Sequence, residues 1–234
     1  MDKLPYVSIL MPTYNRNNFL GLALDNVLNQ TYPKEKLELM IIDDGLDNFI
    51  DEENYIRNLL YPIKLKYIRI DNKNKLKIGV KRNYLVQYAS YDTLINMDDD
   101  DIYLNNYVLK SILYLLLKNV GLVGSNQMIF YFYKYDKFTK ITCSSKRQIH
   151  ESTMCFKRNQ WKRTGGFHPV QTGEGPGMID GHEEHVHNID IDGLTYLVCH
   201  ENNTYPKDSF LFKQELDLKL KPNKLKFIKD IFFK

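Results

Sequence analysis

The apolar positions of this chain fall into short runs separated by helical spacings. Residues 6–11 are almost continuously apolar, which predicts a strand covered on both faces and stopped by Pro12. Asn17 or Asn18 can then cap a helix over about residues 19–30, where Leu20, Leu24, Val27 and Leu28 share one face. A second apolar run, 37–42, ends in Asp43-Asp44-Gly45. Together these form a β-α-β unit, so the two strands should be parallel with a right-handed crossover. The same reading predicts a helix over about 49–60, a strand over 65–70, a helix from Ile78 to about Ala89, a strand over 93–97 and a strongly apolar-faced helix over about 107–118.

The pattern changes near residue 119. Residues 120–142 are rich in aromatic and β-branched side chains and read as strands. The glycine-rich stretch 165–181 predicts a loop or mobile flap, 182–189 a short helix, and 194–199 a strand. Residues 212–234 interleave lysines with Leu, Ile and Phe. The expected architecture is a single Rossmann-like α/β domain over 1–210, with a mainly parallel sheet flanked by helices. Its first part, about 5–118, should bind a nucleotide at the C-terminal strand ends. A smaller mixed region follows over about 119–210, and 211–234 is a basic tail.

The stretch Asn96-Met97-Asp98-Asp99-Asp100-Asp101-Ile102-Tyr103 carries the strongest chemical signal. Four adjacent carboxylates at the end of a buried strand repel one another unless a cation neutralises them. Acids spaced i, i+2, such as Asp98 and Asp100, can grip one divalent ion. Oxygen ligands favour Mg²⁺ or Mn²⁺, which usually complete their shell with phosphate oxygens. The plainer alternative is a solvated acidic turn that caps the next helix. Pro12-Thr13-Tyr14, Asp43-Asp44 and the acid cluster all fall at C-terminal strand ends, so three polar sites converge on one sheet edge.

Bulk properties narrow the class further. The chain has 234 residues, 43% of them hydrophobic and 26% charged, enough for a full globular core. A net charge of +3 is too small to argue for a nucleic-acid partner. Cys143, Cys155 and Cys199 are far apart and read as buried thiols in a reducing compartment. The first strand begins at once, so no signal peptide is expected, and no apolar run reaches the roughly 18 residues of a transmembrane helix. A cytoplasmic protein is expected, with membrane contact limited to the basic tail.

The segments Val7-Ser8-Ile9-Leu10-Met11-Pro12-Thr13-Tyr14-Asn15-Arg16 and Met40-Ile41-Ile42-Asp43-Asp44-Gly45 resemble glycosyltransferase family 2, of the GT-A fold. Gly79-Val80-Lys81-Arg82-Asn83, the acid cluster, and Gly165-Gly166-Phe167 followed by His182-Glu183-Glu184 extend the resemblance over about residues 5–205. It implies transfer of a sugar from a nucleoside diphosphate donor, a UDP-sugar being favoured, usually with inversion. The acceptor would be a hydroxyl of a glycan, lipid-linked or protein-linked molecule, held by the 119–210 half. By resemblance, Pro12, Thr13 and Tyr14 pack around the base, with Arg16 in the same nucleotide-sugar-binding segment. Asp44 bonds the uracil or ribose and Arg82 holds the nucleotide. Asp98 faces the ribose or donor sugar and Asp100 is the principal metal ligand, with Asp99 and Asp101 leaving the register open by one residue. A Glu-Asp or Asp-Asp pair after the Gly-Gly-Phe loop supplies the base. Here the pair is Glu183-Glu184, with Glu184 the candidate and Glu183 open, and glutamate in the second position is a departure. His200 matches a late histidine that approaches the metal or diphosphate, or is structural.

This chemistry is coherent. A divalent ion, Mn²⁺ or Mg²⁺, stabilises charge growing on the diphosphate, and an inverting displacement needs a base for the acceptor proton. Two other readings stand beside it. One is a catalytically inactive nucleotide-sugar or glycan-binding module. The other is a nucleotidyltransferase, against which Pro12-Thr13-Tyr14-Asn15-Arg16 stands where a Gly-rich phosphate loop belongs. His182, His185 and His187 do not have zinc spacing. Trp161 either fills the core or stacks an acceptor sugar. The lysines of the tail either contact an anionic membrane or solvate a packed helix.

Overall fold

The computed structural model describes residues 4–71 and 74–233. In chain order the elements are β1 (Val7–Thr13), α1 (Leu20–Leu28), β2 (Leu37–Asp43), α2 (Glu53–Leu60), β3 (Lys64–Arg69), α3 (Ile78–Tyr88), β4 (Thr93–Asn96), β5 (Ile102–Tyr103) and α4 (Tyr107–Leu117). There follow β6 (Leu122–Gly124), β7 (Gln127–Phe132), β8 (Lys137–Thr142), β9 (Cys155–Lys157), α5 (Arg158–Thr164), β10 (Val186–Asn188), β11 (Thr195–Cys199), β12 (Gln214–Leu216) and α6 (Pro222–Phe232).

A seven-stranded sheet runs β10-β6-β9-β4-β1-β2-β3. Strands β4, β1, β2 and β3 are mutually parallel, and β9 runs antiparallel to β4 and β6. Its two faces explain the unbroken apolar runs. Ile9, Met11, Leu39 and Ile41 join one core with α1 and α4, while Leu10, Met40 and Ile42 join a second core with Leu85 and Val86 of α3. Strand residues buried on both sides have no solvent face on which to alternate. A smaller sheet runs β12-β8-β7-β11-β5, with β5 passing directly from the acid turn into it.

Three expectations are corrected. Strand β1 runs through Pro12 to Thr13 rather than stopping before it. Pairing with β4 ends at Leu10 and Asn96, so Pro12 has a neighbour only on the β2 side and its missing N–H costs no ladder bond. Neither Asn17 nor Asn18 caps α1 with its side chain; a short 3-10 turn, Asn17–Phe19, leads into the helix. Residues 182–189 form a 3-10 turn and then strand β10 rather than a helix.

The C-terminal segment packs onto the body of the fold. Pro222 opens α6 at the first turn, where its missing N–H costs nothing. Ile228 is buried in the main core, and the buried Lys224 ammonium reaches Asp25 and Asn26 of α1, both at 2.6 Å. Phe232 stacks on Tyr133 at 4.1 Å between ring centroids. Among the described residues no helix is long and apolar enough to cross a membrane.

Candidate active site

The acid turn is fixed by backbone bonds on every side. The Met97 amide donates to Leu10 O, and the Asp98 amide donates to the Tyr103 hydroxyl, each at 2.9 Å. Asn26 of α1 donates to Asp101 O at 2.8 Å and accepts from the Tyr103 amide at 3.0 Å. Tyr103 and Tyr107 are fully buried beneath the turn and both donate to Ser152 O.

The four acids have four different environments. Asp98 pairs with Arg82 at 3.0 Å. Asp99 accepts from the Thr13 hydroxyl at 2.6 Å and from Arg16 at 2.7 Å. Asp100 lies 2.9 Å from the same Arg16 nitrogen and 3.1 Å from His200 Nε2. Asp101 accepts from the Val198 amide at 3.0 Å and so ties the turn to β11. Burial raises the pKa of Asp100, but Arg16 and His200 outweigh it and hold the group well below the usual carboxylate range. Burial wins for Asp99, despite Arg16, and for Asp101, whose neighbours Asp100 and Asp98 add to the rise.

The two acids at the end of β2 are both buried and paired, and neither lines the cavity at the acid turn or the depression beside Tyr14. Asp43 accepts from Tyr67, Arg69, Gly45 and Phe49. Burial pushes it up, but these bonds prevail and its pKa falls. Asp44 is buried and paired with Lys81 of α3 at 2.8 Å, and Lys81 also donates to Thr13 O at 3.0 Å. The ammonium of Lys75 lies 4.7 Å from the centre of the Tyr14 ring. The residue after Lys81 in α3, Arg82, is clamped between Asp98 and Glu174, with Nε 2.9 Å from the latter. Its Nη1 is buried and has no partner among the described residues.

These groups line a cavity of about 510 Å³, walled by Pro12, Arg16, Arg82 and the acid turn on one side and by His150, Glu151, Glu174 and Lys207 on the other. A second depression of about 290 Å³ is lined by Thr13, Tyr14, Lys75 and Lys81. The two share Pro12, Arg16, Ile78, Gln171 and Thr204.

Of the residues singled out from sequence, Pro12, Arg16, Arg82, Asp98, Asp99 and Asp100 therefore meet at one cavity, with Thr13 and Tyr14 at the adjoining depression. His200 joins them through Asp100, its ring packed against Phe19 and Phe232. Glu183 and Glu184 do not line either space. Met178 and Ile179 are fully buried in the second core, and the chain then emerges on a surface turn leading to β10, the outermost strand. There the Glu184 side chain is 63% exposed and lies 3.1 Å from His185. Sequence reasoning missed Lys81, His150, Glu151 and Glu174. An acid flanked by glycines, Gly173-Glu174-Gly175, was the available signal for Glu174. Trp161 donates to Asn83 Oδ1 at 2.8 Å, and Asn83 in turn bonds both backbone groups of Phe167. Gly166 has φ 92°, and a Cβ there would lie 2.5 Å from Trp161 Nε1, so both backbone and space demand glycine.

Residues 8–175 match the profile of the family described as Glycosyl transferase family 2. The chain belongs to that family. One relative, the O-antigen biosynthesis glycosyltransferase WbnJ of Escherichia coli, is 27% identical over 128 residues, covering 52% of this chain and 46% of the relative. The chain thus spans about half the length of that relative. Among solved structures, Staphylococcus aureus TarS 1-349 in complex with UDP-GlcNAc superposes with a TM-score of 0.64 at 15% identity, covering 96% of this chain and 65% of TarS. The mannosyltransferase PcManGT of Pyrobaculum calidifontis, in complex with GDP-Man and Mn²⁺, gives 0.61 at 18% identity, covering 88% and 59%. Both likenesses establish the GT-A fold.

The donor set suits a hard divalent ion. Asp100 Oδ2 and His200 Nε2 are 3.1 Å apart, close to the edge of an octahedron with bonds of about 2.1 Å. His200 Nδ1 is buried without a hydrogen-bond partner among the described residues, whereas Asp98 Oδ1 lies 3.0 Å from Arg82 Nη2. Among the described residues no three His, Cys, Asp or Glu side chains are grouped so that they could hold a metal ion by themselves.

Proposed function

We propose that this family-2 chain transfers a sugar from a nucleoside diphosphate donor, a UDP-sugar in preference, to an acceptor hydroxyl with inversion, assisted by Mn²⁺ or Mg²⁺. The observation that carries the reading is the acid turn. It lies at the C-terminal end of β4, flanked by Arg16 and Arg82, and opens on a cavity continuous with the Thr13-Tyr14 depression.

The nucleoside belongs in the depression, with its base beside Tyr14 and its polar edge toward Asp44. Lys81 holds Asp44 in place, and burial lowers the Lys81 pKa while Asp44 opposes that shift. The diphosphate and sugar occupy the larger cavity. Asp98, oriented by Arg82, accepts from donor hydroxyls, and Asp99 keeps Arg16 turned toward the phosphates. Asp100 and His200 are the ligands for the divalent ion, which as a Lewis acid would lower the cost of charge on the leaving diphosphate. The donors crystallised with TarS and PcManGT are consistent with a nucleotide-sugar here.

The acceptor is a hydroxyl of a glycan, lipid-linked or protein-linked molecule. Exposed Lys219, Lys221, Lys226 and Lys229, near exposed Phe212 and Phe233, favour contact with an anionic membrane surface carrying it.

Calorimetric titration of UDP- and GDP-sugars, with and without Mn²⁺, tests the reading. Metal-enhanced binding of one donor is expected. Failure of every donor to bind in the presence of metal would overturn it.

A further inference from the structure

An inverting transfer needs one group to take the acceptor proton, and the cavity's carboxylates differ in fitness for that task. Asp98, Asp99, Asp100 and Glu174 each lie within 3.0 Å of an arginine nitrogen. A carboxylate held by a guanidinium has that side occupied and is not free to face an acceptor hydroxyl. Asp101 is spent on the Val198 amide. His150 faces Ser152 with Nδ1, and burial, reinforced by Lys207, pushes it down to about 4.

Glu151 differs from all of these. It lines the cavity and has no cation within ion-pair distance among the described residues. Oε1 accepts from the Gly175 amide at 2.8 Å, and Oε2 makes no hydrogen bond among the described residues. The carboxylate is also braced. Its backbone carbonyl accepts from Asn96 Nδ2 at 2.7 Å, and Asn96 is the last residue of β4, two positions before Asp98.

Gly175 makes room for this side chain. A Cβ at 175 would lie 2.5 Å from Glu151 Oε1 and 2.9 Å from its Cδ. Gly175 does not have positive φ, so its backbone does not call for glycine. The space beside the 174–175 peptide is filled by the carboxylate that arrives from residue 151.

We propose that Glu151 is the general base of the transfer. The proposal rests on the glycosyl-transfer reading above. The acceptor O–H proton passes to Glu151 Oε2 as the acceptor oxygen bonds the anomeric carbon. The bond from that carbon to the phosphate oxygen breaks, and its electron pair leaves with the nucleoside diphosphate.

The test compares the wild type with Glu151→Gln, which keeps an oxygen for the Gly175 amide. Binding of UDP- and GDP-sugars is measured by calorimetry with Mn²⁺. Nucleoside diphosphate release is followed for the donor that binds, with water and a set of methyl glycosides as acceptors. The proposal expects donor affinity within a few-fold of wild type and turnover lower by about 10²–10⁴. Turnover within threefold of wild type overturns it. A wild type that binds no donor overturns the glycosyl-transfer reading and this proposal with it. Should Glu151→Gln lose donor binding, Glu151→Ala/Gly175→Asp decides, because it returns a carboxylate to the same space. At least tenfold recovery over Glu151→Ala supports the assignment, and no recovery overturns it.

Discussion

Asp100 Oδ2 and His200 Nε2 stand 3.1 Å apart, although 100 residues separate them. A pair assembled from so far apart is held by the contact of β11 with the acid turn. His200→Ala is expected to weaken Mn²⁺-dependent donor binding by about 10–100-fold while leaving metal-free binding unchanged. Asp100→Asn should remove the metal enhancement altogether. Calorimetry with and without Mn²⁺ separates these effects, and undiminished enhancement in Asp100→Asn would refute the ligand assignment.

Arg82 carries a structural load as well as a proposed role at the nucleotide. Its loss leaves Asp98 and Glu174 facing each other without a cation in a buried setting. Arg82→Ala is expected to lower stability by about 3–5 kcal/mol, read from the urea midpoint. A shift below about 1 kcal/mol would show that water or another cation replaces the guanidinium.

Phe232 touches Phe19, Tyr133 and His200 from the C-terminal helix. It is only partly buried, so Phe232→Ala should cost about 1–3 kcal/mol rather than the full core value. Loosening the His200 ring should also weaken Mn²⁺-dependent donor binding. Unfolding curves and calorimetry on the same variant test both effects, and unchanged metal dependence would confine Phe232 to packing.

Glu183→Gln and Glu184→Gln should leave turnover within about twofold of wild type, as expected of surface changes remote from a cavity. A collapse in either variant, measured as nucleoside diphosphate release, would mean that this turn reaches the acceptor during the reaction.

His150 predicts a pH dependence of stability. Its pKa lies at about 4 in the fold, lowered first by burial and then by Lys207. An unfolded histidine titrates near 6.5, so between those values the unfolded chain binds more protons. Stability is full above pH ~6.5 and declines as pH falls toward ~4, by at most about 3 kcal/mol from this group. His150→Gln should lack that decline, so the stability difference should shift in the variant's favour as pH falls through this window. A constant difference would refute the assignment.

The repeating strand-helix half of the fold was legible because each run advertises its own period. Residues 37–42 and 65–70 read as strands, and the 3.6-residue spacing of 107–118 read as a helix, without reference to distant partners. The acid cluster was legible for the same reason, since four adjacent carboxylates need neutralising wherever they lie. Glu151 was not legible, because its meaning comes from Gly175, 24 residues away and brought near only by the folded loop. The position of Glu183 and Glu184 outside both spaces was not legible either. Sequence order cannot show that Met178 and Ile179 dive into the core and carry the next residues outward. Pro12 misled because a proline normally ends a strand, and only the early end of β4 makes it harmless.

The buried Lys224 has a consequence for how the site is completed during synthesis. Its ammonium meets Asn26 Oδ1, the oxygen that also receives the Tyr103 amide, while Asn26 Nδ2 holds the Asp101 carbonyl. Residues 222–232 leave the ribosome after the strands of the main sheet, so a nascent chain can form that sheet before this last donor arrives. Asn26, which already joins α1 to the acid turn, therefore gains this further donor only when α6 docks.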